Sequence, residues 1–152
     1  MARISTVSAE DVARSSDAVA RSFVEESPAG WVSAELVYLE LGKTGEMRAF
    51  TTGPDGRTVR VKMPMSTVDA FDSLRAAMFR PGEGAWFTAT CRISAERRVS
   101  FNFDFDSEPA FSSEISLGHV LEEMQTYPRD DAHTPVWLAD RLVAAREWEQ
   151  RV

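Results

Sequence analysis

Residues 47–63, MRAFTTGPDGRTVRVKM, hold the reading that decides the fold. Two runs of strand formers, 47–52 and 58–63, flank Gly53-Pro54-Asp55-Gly56, where Pro54 suits the first corner of a turn and Gly56 its left-handed position. A three-residue loop of this kind pairs Met47 with Met63, Ala49 with Val61 and Thr51 with Val59, which gathers apolar side chains on one face. Pattern and turn chemistry agree, so this is an antiparallel hairpin.

Outward toward the N-terminus, residues 31–41 are rich in strand formers. Their two apolar rows (Val32, Leu36, Tyr38 and Val37, Leu39, Leu41) predict a strand covered on both faces, turning at 42–45 into the hairpin. Before it, Ser8 with Asp11 reads as the cap of a helix carrying Val12, Ala13, Val19, Ala20, Phe23 and Val24 at helical spacing and ending ahead of Pro28. Toward the C-terminus, Ser66 with Asp69 caps a second helix with Val68, Phe71, Leu74 and Met78 as its stripe, stopped by Pro81-Gly82-Glu83-Gly84.

A second hairpin follows. Phe87, Ala89, Cys91 and Ile93 alternate with Trp86, Thr88, Thr90 and Arg92, and Val99, Phe101, Phe103 and Phe105 alternate with Ser100, Asn102, Asp104 and Asp106. Matching the two apolar rows requires an odd-numbered loop within 94–98. Leu117, Val120, Leu121 and Met124 then mark a short helix ending near Tyr127-Pro128-Arg129. Thr134 and Pro135 open a last helix whose apolar residues, from Val136 and Trp137 to Trp148, are broad enough to dock on a sheet or on the preceding helix. The order is α-β-β-β-α-β-β-α-α, which predicts an α+β fold: a mainly antiparallel sheet of about five strands with helices packed on one face.

The chain has 152 residues, 43% of them hydrophobic, which suits a single domain over 1–152 with one core. It contains no apolar run long enough to span a bilayer, and its first residues are too polar for a signal peptide, so a cytoplasmic protein with no membrane partner is expected. Its one cysteine, Cys91, excludes an internal disulfide and a thiolate metal site. The net charge of -7 is unevenly placed, because residues 101–140 hold nine acids against Arg129 alone. Such a surface repels phosphate backbones, so nucleic acid is not the expected partner.

Catalytic motifs are missing. Neither glycine-dense stretch is followed by the Lys-Ser/Thr or helix start of a phosphate loop, and there is no Gly-x-Ser-x-Gly elbow or His-Glu-x-x-His pair. No enzyme activity, cofactor or metal is expected. His119 and Glu123, four apart on one helix, read as a surface hydrogen bond rather than a metal pair. His133 beside Asp130 and Asp131 reads as a polar loop before a capped helix, and Cys91 as a small core residue. Asp104, Asp106 and Glu108 are open to two readings: a divalent-cation site such as a small metal-dependent hydrolase would use, or a protein-facing or solvated stripe. The second is expected, since tight cation binding needs further ligands.

With these elements in place, the chain resembles the YezG-like family of bacterial immunity proteins, antitoxins paired with polymorphic or LXG-type secreted toxins. The resemblance is carried by the strand opening at Trp31-Val32-Ser33-Ala34-Glu35-Leu36, the helix over 68–79, Gly84-Ala85-Trp86-Phe87-Thr88, Phe101-Asn102-Phe103-Asp104-Phe105-Asp106, and Tyr127-Pro128-Arg129 with Trp137 eight residues on. It spans about 31–142. The chain departs from the family in its long N-terminal helix and in Phe105, where tyrosine is expected. The resemblance implies a non-enzymatic cytoplasmic protein that binds and blocks a cognate toxin, often a nuclease. Tyr127-Pro128-Arg129 then reads either as a toxin contact or as a helix terminator whose arginine is tied to local carbonyls or to Asp131.

Charge leads the same way. An inhibitor of a nucleic-acid-cleaving toxin competes for a basic groove, and concentrated carboxylates do so while steering association. The expected contact surface is Asp104, Asp106, Glu108, Glu114, Asp130 and Asp131, with Trp86 as an exposed aromatic anchor. A general protein-binding adaptor or secretion chaperone is the alternative.

Overall fold

A computed structural model describes residues 2–152, with side chains from residue 9 onward. The elements are α1 (Ala2–Glu26), β1 (Ser33–Leu41), β2 (Thr44–Thr52), β3 (Thr58–Val61), α2 (Met65–Met78), β4 (Thr88–Ile93), β5 (Val99–Asp104), α3 (Leu117–Thr126), a single 3-10 turn (Asp131–His133) and α4 (Val136–Arg151). The strands form one antiparallel five-stranded sheet in the order β3-β2-β1-β4-β5, so the fold is α+β in the order expected. β1 is the central strand. That position accounts for its apolar rows: from Tyr38 to Leu41 every residue is buried, whichever face it occupies.

The first hairpin has the register that its turn dictates. Ala49 faces Val61 and Thr51 faces Val59, while the Gly53 N–H donates to the Arg57 carbonyl at 3.0 Å and closes a three-residue loop with Gly56 at φ 79°. The second hairpin also closes with an odd loop, since the Ser94 N–H donates to the Arg98 carbonyl at 2.9 Å. Its left-handed position falls to Arg97, at φ 63°, where glycine is the usual occupant.

Contacts within the chain divide it into two compact units: Met1–Tyr38, Met47–Met78 and Ala89–Asn102 make up the first, and Leu39–Glu46, Phe79–Thr88 and Phe103–Val152 the second. In the first unit, α1 packs on α2, Val19, Ala20 and Phe23 of α1 are buried, and the Ser22 and Thr67 hydroxyls share a hydrogen bond of 2.8 Å. The helix begins at Ala2, ahead of the start expected at Ser8, whose side chain lies outside the described residues. The buried face of α2 is Thr67, Ala70, Phe71, Leu74 and Arg75. Phe71 and Leu74 were expected there, but Val68 and Met78 at the ends of the expected stripe are only half-buried. Phe71 stacks on Tyr38 at 5.1 Å between ring centroids. Burying a side chain of the size of Phe71 or Leu74 stabilises the fold by about 1.5–3 kcal/mol.

The core of the second unit gathers Leu41, Phe87, Ile115, Val120, Leu138, Leu142 and Ala145. α3 is capped by Ser116, whose hydroxyl accepts the Gly118 N–H at 3.2 Å, and α4 starts after Pro135 as its sequence predicts. The broad docking face expected of α4 is narrower than its composition suggests. Leu138, Leu142 and Ala145 form a single inward stripe, whereas Val136 and Val143 are 77% and 57% exposed. A helix packed on one neighbour needs only that stripe.

Candidate functional site

The acidic residues concentrate in the second unit, which holds fourteen acids against six lysines and arginines, while the first holds ten against eleven. Half of the carboxylates expected to form a contact surface also hold local structure. At the end of β5, the Asp104 carboxylate accepts the N–H groups of Asp106 (3.0 Å) and Ser107 (2.9 Å). Partial burial pushes its pKa up, but these bonds and one from the Ser107 side chain outweigh that, and it lies below the ordinary aspartate value. Glu108 receives Arg141 through Nη2 (2.6 Å) and Nε (2.9 Å). Asp130 caps the 3-10 turn by accepting the His133 N–H at 3.0 Å, and it also meets the His133 ring nitrogen at 2.6 Å. The bond from the His133 side chain holds the Asp130 carboxyl below its usual range.

Asp106, Glu114 and Asp131 remain. All three are exposed, and none forms an ion pair among the described residues. They are carboxylates that a cationic partner meets without first displacing an internal bond. No hydrogen bond links the 104–108 group to the 130–131 pair among the described residues.

Trp86 does not belong to such a surface. It is fully buried, with its ring 5.8 Å from that of Phe103, so the exposed anchor expected from strand alternation is corrected. β4 begins only at Thr88, and Ala85, Trp86 and Phe87 ahead of it are all enclosed, so the alternating rule does not apply to them.

Arg129 is also buried. Its Nη1 donates to the His133 carbonyl (2.8 Å), its Nη2 to the Ala85 carbonyl (2.9 Å), and its guanidinium lies 4.6 Å over the Phe87 ring. Gly84 makes room for it: at φ 83°, a Cβ there would fall 2.3 Å from Arg129 Nε. Tyr127 packs on Phe79 at 5.1 Å, and its N–H donates to the Glu123 carbonyl at 2.7 Å to close α3. Trp137 sets its ring edge against Phe87 at 5.1 Å and donates from Nε1 to the Asp106 carbonyl at 2.6 Å. Of the two readings of Tyr127-Pro128-Arg129, the geometry is that of a helix terminator with its arginine on carbonyls. Only Pro128 of the three is exposed.

The pairing expected between His119 and Glu123 is corrected as well. His119 Nδ1 lies 2.7 Å from Glu122, and Glu123 points inward, where its Oε1 accepts the Gly42 N–H at 2.8 Å. Cys91 is a core residue whose thiol burial pushes up to about 12. Among the described residues, no group of three or more His, Cys, Asp or Glu gathers as a metal site.

One surface escaped the reading of the sequence. On the first unit, Trp31, Thr51, Val59 and Val61 are among the residues lining a recess of about 450 Å³, and Arg60, Val61, Lys62, Met63, Met65 and Val68 are among those lining another of about 570 Å³. The available signal was the apolar face of the 47–63 hairpin, which its composition alone assigns to a core.

No protein-family model matches the chain, and no curated protein matches it. No helix among the described residues is long and apolar enough to cross a membrane.

Proposed function

We propose that this chain is a non-enzymatic immunity protein that binds and neutralises a basic bacterial toxin through the carboxylates of its second unit, acting in the cytoplasm. The observation that supports this reading most is the excess of eight acids over bases in that unit, set against near neutrality in the first. Charge of one sign at this density raises the encounter rate with a cationic protein by roughly tenfold or more at low salt. The toxin class comes from the resemblance to YezG-like immunity proteins, and a nuclease is the variety whose basic groove suits an acidic blocker.

The test pairs growth with kinetics. Cells expressing the toxin-like protein encoded beside this gene should grow only when this chain is co-expressed, and the two proteins should co-purify as a one-to-one complex. Replacing Asp106, Glu114 and Asp131 together by Asn, Gln and Asn should slow association by about tenfold at low salt and flatten its salt dependence, with little change in dissociation. Absence of rescue despite good expression of both proteins would sink the immunity reading. Unchanged association of the triple variant would remove the acidic surface from it.

A further inference from the structure

β3, which lies wholly in the first unit, is an edge strand of the sheet, and β2 is its only ladder partner among the described residues. Hydrogen-bonded and non-bonded residue pairs alternate along an antiparallel ladder. Since Gly53 and Arg57 form a bonded pair, the next ones fall at Val59 and Val61, and the backbone N–H and C=O groups of Thr58 and Arg60 point away from β2. An edge of this kind is a template for another strand.

The side chains divide by face. Val59, Val61 and Met63 alternate with Thr58, Arg60 and Lys62. The two recesses described above share Val61 and form a trough beside β3 whose apolar lining includes Val59, 55% exposed, Val61, Met63 and Met65, 70% exposed, bordered by charged side chains. Arg60 and Lys62, which alternate with the Val59–Val61–Met63 row and also border the second recess, form no ion pair among the described residues. From 47 to 63 the hairpin holds four basic residues against Asp55 alone, and Asp55 lies 3.7 Å from Arg57.

Basic side chains on an edge also guard against self-pairing. Two copies of β3 set side by side would bring Arg60 and Lys62 of each copy together, and like charges on facing strands repel. Protection of the edge does not require an exposed apolar trough beside it. The combination of open backbone groups, an apolar row and an uncompensated cationic row matches one occupant.

We propose that β3 accepts an extended segment of a partner protein as a sixth strand, in which apolar and acidic side chains alternate. The apolar ones enter the trough against Val59, Val61, Met63 and Met65, and the carboxylates meet Arg60 and Lys62. This site is separate from the carboxylates of the second unit and opposite to them in charge preference, so it stands or falls independently of the immunity reading.

The test uses the full chain and fluorescein-labelled peptides that alternate valine with glutamate, alternate valine with lysine, or carry valine and glutamate in two separate blocks. The alternating acidic peptide should bind saturably, and the other two should not. Arg60→Pro removes one outward N–H while sparing the ladder with β2, and should weaken binding about tenfold or more with the melting temperature unchanged. Should that variant fail to fold, N-methylation of the acidic peptide at the residues facing β3 makes the same cut from the other side. Binding that survives N-methylation, equal binding of all three peptides, or binding of none would overturn the proposal. A dimer of the chain in sedimentation that Arg60→Pro dissociates would assign the edge to a second copy and overturn it too.

Discussion

Gly42 and Glu123 stand 81 residues apart and meet through a 2.8 Å hydrogen bond from the Gly42 N–H to a fully buried carboxylate. Gly42 holds φ 62°, and a Cβ on it would fall 2.3 Å from the backbone oxygen of His119, which cannot move without disturbing α3. Gly42→Ala is therefore expected to cost about 3 kcal/mol or more, from backbone strain and overpacking together. Glu123→Ala, which takes the acceptor from a part-buried N–H, should cost about 1–3 kcal/mol. Urea denaturation measures both, and a Gly42→Ala loss below about 0.5 kcal/mol, the range of neutral surface changes, would show that α3 does not clamp this turn.

Arg97 occupies a left-handed position at a cost of about 1 kcal/mol, and its guanidinium offsets that by donating to the Val32 carbonyl at 2.7 Å and lying 4.0 Å over the Trp31 ring. Arg97→Ala keeps the strain and loses the contacts, so it should be about 1–2 kcal/mol less stable than the parent. Arg97→Gly loses both and should fall between them. A glycine variant more stable than the parent in thermal melts would mean the guanidinium contacts are worth less than the strain they offset.

The Cys91 thiol, pushed up to about 12 by burial, carries almost no thiolate near neutral pH. Ellman's reagent at pH 8 should leave it unmodified for as long as the chain stays folded, with one equivalent reacting promptly in denaturant. Rapid labelling of the native protein would contradict its place in the core.

Asp104 has a folded pKa below its unfolded one, so its bonds to Asp106 and Ser107 contribute stability above the ordinary aspartate value of about 3.9 and lose it as the pH falls through the lower folded value. Asp104→Asn should be less stable than the parent at neutral pH, with the difference shrinking once the pH drops below about 4. Asp130 should behave in the same direction, because its bond with His133 lowers its pKa. A gap that stays constant down to pH 2 would rule out the ionised carboxylate of Asp104 as the source.

The parts of this molecule legible in its sequence are those set by neighbours in the chain. The 47–63 hairpin shows its register because Pro54 and Gly56 specify the loop, and the loop specifies which residues face each other. Helices appear where apolar spacing and a breaker coincide, as at Leu117–Thr126 before Pro128. Roles set by distant backbone were not legible. The sequence offers Arg129 as a helix terminator tied to local carbonyls, as with His133, but not its bond to the carbonyl of Ala85, 44 residues away, and it reads Glu123 as a surface partner of His119 rather than the acceptor of the Gly42 N–H. Trp86 was misplaced for a different reason: alternation was carried past the start of a strand into residues enclosed on every side. Of the acidic residues, the sequence shows the excess but not that Asp104, Glu108 and Asp130 hold turns and an ion pair, leaving Asp106, Glu114 and Asp131 unengaged.

The tryptophans give the chain its own optical labels. Trp31 is the sole indole of the first unit, while the second holds the enclosed Trp86, the half-covered Trp137 and the solvent-touched Trp148. Emission on unfolding is therefore weighted toward the second unit, whereas far-ultraviolet dichroism averages over both. With Trp31 replaced by phenylalanine, fluorescence would follow the second unit alone, and any offset between the two signals along a denaturant titration would read directly as loss of cooperativity between the halves.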